Sequence, residues 1–148
     1  LISDTGTLVG VMTSQGRALS KAKGAGFVAR NWLENDGNGN SQEFAARQWR
    51  DGPIVHLSGK RAVAAFTRCQ PEHIIVTSAE AAALKAQNCS LFDPERLRQT
   101  GSVALQKMPQ GWQITTARDK AGERLWTAWP DRPVNRDQYV RINPTKRP

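Results

Sequence analysis

Histidine, cysteine and long apolar runs are scarce in this 148-residue chain, and each scarcity removes a class of chemistry. Only two histidines occur, His56 and His73, and neither has a second histidine at metal-ligand spacing. A zinc hydrolase needs about three protein ligands and an open coordination position, so a histidine-rich centre cannot be assembled here. His73 opens a buried-type strand and is expected to be structural. His56 stands at a strand end, the better of the two places for function. Cys69 and Cys89 are too few for a disulfide scaffold. They could form one bridge, worth about 3 kcal/mol in the chain-entropy model, or remain two buried thiols. Neither has a local nucleophile signature, and Ser3, Ser58 and Ser78 lie near element ends without a Gly-x-Ser-x-Gly elbow. No catalytic residue is assigned. No apolar run approaches the roughly 18 residues of a membrane span, and no secretory signal pattern is visible.

What is present reads as one globular domain, residues 1–129, followed by a Pro/Arg-rich tail, 130–148. Leu1 falls inside a strand-like pattern, so the chain is expected to be part of something longer. Lysine and arginine number 21 against 13 acidic residues, giving a net charge of +8. Such a balance favours a polyanionic partner, nucleic acid or an anionic membrane surface. Solubility is the plainer explanation. The cations are scattered, with a mild cluster at Arg17, Lys21, Lys23 and Arg30 and another in the tail.

The opening stretch organises the rest. Leu8, Val9, Val11 and Met12 form a β-rich run, Ser14-Gln15-Gly16 a turn, and Arg17 to Ser20 a returning strand. A basic glycine-rich loop leads into a helix over 27–35, whose i,i+4 pairs Val28/Trp32 and Ala29/Leu33 make one apolar face. Asn and Gly over 35–40 stop it, and Ser41 caps a second helix reaching Trp49. Strands follow at 54–57, 73–77 and 90–92, alternating with helices at 61–68 and 79–87. Asp93-Pro94 starts another helix, which ends at Gly101. Three antiparallel strands are expected at 103–107, 112–118 and 124–129, with a turn at 119–122. The strand–helix alternation implies an α/β layered fold.

Two motifs are weaker than they look. Gly24-Ala25-Gly26-Phe27-Val28-Ala29 matches a loose dinucleotide fingerprint, but the acidic residue expected about 20 positions later is absent. A phosphate at this helix start, helped by Lys21 and Lys23, is the more plausible use of the loop. Asp36 to Asn40 resembles a calcium loop, yet Ser41 and Arg47 stand where glycine and glutamate belong. Among the five tryptophans, Trp32 and Trp49 are expected in the core. Trp126 and Trp129, beside the basic tail, could stack on single-stranded bases.

Ile2-Ser3-Asp4-Thr5-Gly6 through Arg17-Ala18-Leu19-Ser20, then Lys23 to Val28 and Trp32 to Gly37, resembles the soluble C-terminal region of ComEC-type competence proteins. These are inner-membrane channels for DNA uptake, whose C-terminal domain is metallo-β-lactamase-like in many members. Ile54-Val55-His56-Leu57-Ser58-Gly59, Pro71, and Ile74 to Ser78 are similar to that domain's later strand–histidine–helix–strand unit. The Asp93 to Leu97 segment and the closing strands resemble its ending. The His-x-His-x-Asp-His metal motif has no counterpart between Gly24 and Pro53, and Asp93 stands where a histidine-proline step is expected.

The resemblance therefore implies a reduced metallo-β-lactamase-like sandwich with neither metal nor cofactor. Its role would be to contact DNA, single-stranded in particular, beside the membrane-embedded part of the same protein or other competence proteins. The expected phosphate contacts are Lys21, Lys23 and Arg30, with Lys60 and Arg61 at a second helix start. A periplasmic setting would allow a Cys69–Cys89 bridge. Two rivals stand beside this reading. One is a divergent nuclease recruiting Mg²⁺ or Mn²⁺ through Asp4, His56 and Asp93; the other is an assembly domain that binds no nucleic acid.

Overall fold

A computed structural model describes residues 1–50, 52–87 and 89–122 of the chain. Its elements are β1 (Gly10–Thr13), β2 (Gly16–Leu19), α1 (Gly26–Asn35), α2 (Gln42–Arg47), β3 (Ile54–Leu57), α3 (Gly59–Ala65), β4 (Ile74–Thr77), α4 (Ala82–Lys85), β5 (Ser90–Phe92), α5 (Pro94–Thr100), β6 (Val103–Met108), β7 (Gly111–Thr116) and α6 (Ala117–Ala121). The class is α/β. No described helix is long and apolar enough to cross a membrane.

Three strands, β3-β4-β5, form a parallel sheet with β4 central. All four β4 residues are buried, which a strand covered on both faces requires. Alternation divides them: Ile74 and Val76 join a cluster with Ile2, Val9, Phe92 and Val103. Ile75 faces the other way, into Leu57, Ala81, Leu84 and Leu91. The first face meets two antiparallel hairpins, β1-β2 and β6-β7. Ile2 joins them edge to edge. It pairs with Val9 on one side and exchanges backbone hydrogen bonds with Val103 on the other, at 2.7 and 3.0 Å.

Local chemistry explains most boundaries. Ser41 caps α2 by accepting from the Phe44 amide, and Asp93 caps α5 by accepting from Arg96 with Pro94 in the first turn. Several expected boundaries move. The helix expected over 61–68 is α3, shifted toward the chain start and ended where Phe66 turns extended. The alanine-rich stretch 79–87 supplies only one turn, α4, because Ala81 leaves the helical region and only Leu84 of that turn is buried. Propensity without a packed face does not sustain a helix. The turn expected at 119–122 is instead α6, closed by a reciprocal capping box between Thr116 and Asp119. The strand expected at 124–129, with Trp126 and Trp129, and the tail 130–148 lie outside the described residues.

Cys69 and Cys89 form a disulfide with their Cα atoms 6.0 Å apart. It ties the α3–β4 connection to the segment entering β5, beside the Ile75 cluster. With 20 residues of separation, its removal by Cys69→Ala/Cys89→Ala should cost about 3 kcal/mol in urea unfolding. A double variant as stable as the parent would remove this role. Gly6 gives a second test. Its φ is +65°, and a Cβ there would lie 2.3 Å from the Thr77 carbonyl oxygen. Gly6→Ala should destabilise the chain by about 2–4 kcal/mol, combining left-handed strain with a backbone clash. Gly37→Ala, also at positive φ but with open space around it, should cost only about 1 kcal/mol.

Candidate nucleic-acid interface

The basic loop between β2 and α1 is fixed at both ends by buried structure. On the β2 side, Arg17 is 8% exposed and clasps Asp36 in a two-pronged ion pair, Nε–Oδ2 2.5 Å and Nη2–Oδ1 2.8 Å. The same guanidinium lies over Trp32, 5.9 Å from the ring centre. This joins β2 to the end of α1. From α2, the Gln42 side-chain amide donates to the carbonyls of Lys21 and Gly24 at 3.1 and 2.8 Å. The loop is therefore braced from below by a helix.

Its last residues turn sharply. Gly24 has φ +83°, and Ala25, at φ 51° and ψ 34°, is the only non-glycine residue with positive φ among those described. No side chain caps the N-terminus of α1, which starts at Gly26. The first amides of a helix have no partner within it, so this terminus carries donors and the positive end of the helix dipole.

Lys23 precedes that terminus and Arg30 lies one turn into α1. Lys23 lies 3.9 Å from Glu43, and Arg30 donates to Glu34 at 2.7 Å. Both cations remain 78% exposed or more. Glu34's hydrogen bond and charge hold Arg30 more firmly in its charged form. Exposed pairs of this kind are weak, so they leave the cations available to a stronger anion. Lys21 is half-buried and folds toward Gly24, where an added Cβ would meet its Nζ at 3.5 Å.

Lys21 also connects the loop to the parallel sheet, because its charge reaches His56. His56 is half-buried, with Nε2 3.0 Å from the Gly6 carbonyl. Burial lowers its pKa, with Lys21 adding to the effect and the Gly6 carbonyl opposing it. Lys60 and Arg61 follow in the exposed first turn of α3, where the Gly59 amide donates to Ser78 Oγ at 2.9 Å. That seven-residue helix is too short to make a strong dipole site.

The residues considered for a divalent metal do not assemble. Asp4 is on an exposed loop, and His56 holds Gly6. Asp93 is buried, with Oδ1 capping α5 and Oδ2 3.0 Å from Lys85 Nζ. No group of three His, Cys, Asp or Glu among the described residues could hold a metal ion. The expectation of an Asp4–His56–Asp93 centre is therefore corrected.

One feature of the interface escaped the sequence reading. Phe27 is 82% exposed, more than any other large apolar residue described. Its position was legible: at about 100° per residue, Phe27 lies nearly opposite the stripe of Val28, Ala29, Trp32 and Leu33. It shares the outer face with Arg30, Asn31 and Glu34.

His56 generates a pH prediction. An unfolded histidine takes up its proton near pH 6.5, whereas the native imidazole does so only at lower pH. Its contribution to stability is therefore complete above about pH 6.5 and falls as pH drops toward the native pKa. Urea midpoints measured from about pH 7.5 to 5.5 should fall more for the parent than for His56→Gln. Equal slopes would exclude His56 as the source.

Compared with models of known protein families, with curated proteins and with solved structures, the chain matches none.

Proposed function

We propose that this chain is the non-catalytic soluble C-terminal domain of a ComEC-type DNA-uptake protein, and that it contacts DNA through the loop between β2 and α1. The single observation that carries the DNA contact is the placement of Lys21 and Lys23 in the loop leading to an uncapped ten-residue helix, with Arg30 one turn further on. The loop before that start is held by Gln42, and the Arg17–Asp36 pair fixes the other end of the helix. Cations beside an uncapped helix start suit phosphate binding. Lys60 and Arg61 extend the basic surface beyond His56.

The family assignment rests on the resemblance of the Ile2–Ser20, Lys23–Val28 and Trp32–Gly37 segments. Hairpins packed on one face of a parallel sheet are compatible with a reduced metallo-β-lactamase-like layering. In that reading the domain lies on the periplasmic side of the inner membrane, beside the channel part of the same protein and other competence proteins. A disulfide suits such an oxidising compartment.

The test is fluorescence anisotropy with labelled single- and double-stranded DNA across a salt series. Binding near 10⁻⁴–10⁻⁶ M, weakening steeply with salt, is expected (roughly the non-specific range). Lys21→Ala/Lys23→Ala should weaken it and reduce the log–log salt slope by about 1.5. No binding even at low salt would overturn the DNA role and leave an assembly domain whose charge serves solubility.

A further inference from the structure

We infer that Phe27 is a stacking platform for an unpaired base, so that this face prefers single-stranded to duplex DNA. The inference rests on the DNA-contact reading above and adds to it the residue that discriminates strand type. A lone exposed apolar residue is ordinary on a protein surface. Phe27 differs in what surrounds it. The ring projects from the first turn of α1, 82% exposed, immediately after the Lys21–Gly24 loop. Along the same outer face come Arg30, Asn31 and Glu34, and Asn31 donates from its side chain to the Phe27 carbonyl at 2.9 Å. No second apolar side chain continues the patch along this face, so it offers little area to a protein partner. An exposed aromatic ring next to a lysine-bearing loop and an arginine is what a nucleobase and its flanking phosphates require.

The adjoining surface has room for the rest of a nucleotide. Gly26, Arg30 and Glu34 of α1 line an open groove of about 290 Å³ with Asn38, Ser41 and Gln42, next to but not including Phe27. A strand could rest its phosphates against Lys21, Lys23 and Arg30 while one base covers the Phe27 ring. Duplex DNA can use the same phosphate contacts, but its bases are stacked within the helix and cannot reach the ring.

The test uses the whole chain and three probes: an oligothymidylate, an abasic strand of equal length, and a duplex closed by hairpins at both ends. Phe27→Leu keeps an apolar side chain on a solvent-facing position, so circular dichroism and the urea midpoint should not change. It should weaken oligothymidylate binding by about five- to a hundred-fold. Binding of the abasic strand and of the closed duplex should be unchanged. Phe27→Trp should preserve or tighten oligothymidylate binding. Equal losses on all three probes, or no loss on any, would overturn stacking. In the second case, if Lys21→Ala/Lys23→Ala still weakens every probe, the phosphate-contact reading stands without it. If the parent chain binds no probe, the underlying reading fails and stacking fails with it.

Discussion

Ile2 holds the two halves of this molecule together. Its backbone bridges the β1-β2 hairpin on one side and β6 on the other, while its side chain is fully buried against β4 and α5. The sequence distance it closes is about a hundred residues, the type of contact whose loop-closure cost only a packed core can offset. The rest of the architecture follows from that join. Both hairpins are thereby fixed to one face of the parallel sheet, and burial, helped by the charge of Lys21 just after β2, holds His56 of β3 below the ordinary histidine pKa.

The loop itself is shaped by two opposed devices. At the far end of α1, the Arg17–Asp36 pair gives orientation more than net stability, since desolvating both partners cancels much of their attraction. Its two parallel hydrogen bonds and the stacking on Trp32 allow one placement of the helix on the hairpin. At the near end, Ala25 occupies a left-handed conformation costing about 1–2 kcal/mol for a residue with a Cβ. The same methyl packs on the Leu8–Leu33 cluster, which holds the turn in place. A strained residue fixed by packing sits where the amides and cations are presented.

Much of this could be read from residue order. The run His73 to Thr77 marked the central strand, and Ser41 and Asp93-Pro94 marked two helix starts. Val28/Trp32 and Ala29/Leu33 marked the buried face of α1. What stayed hidden depended on distant partners. Ile2 is one residue of pairing, too short for any periodicity to reveal. The Thr116–Asp119 capping box has a sequence signature, but the glycine at 122 read as a turn because the box spans a single helical turn. Alanines over 79–87 suggested a longer helix than their burial could support. The Cys69–Cys89 bridge, by contrast, was named from the sequence as one of two options, and the structure forms it. Phe27 was legible in principle, since its place opposite the apolar stripe already implied exposure.

Several polar side chains at this end of the sheet are engaged in holding the fold. His56 is engaged with the Gly6 carbonyl, and Ser78 with the Gly59 amide. Thr77 donates to the Ala79 carbonyl, while Asp93 caps α5 and meets Lys85. These four side chains each hold a backbone segment in position. The groups presented outward are of another kind: lysine, arginine, helix amides and one aromatic ring. Phosphate recognition needs such groups at no more than hydrogen-bonding precision, and it tolerates the exposed glutamates beside them. If this surface binds phosphates as proposed, its grip should be weak and strongly salt-dependent, because exposed charges act mainly through counterion release.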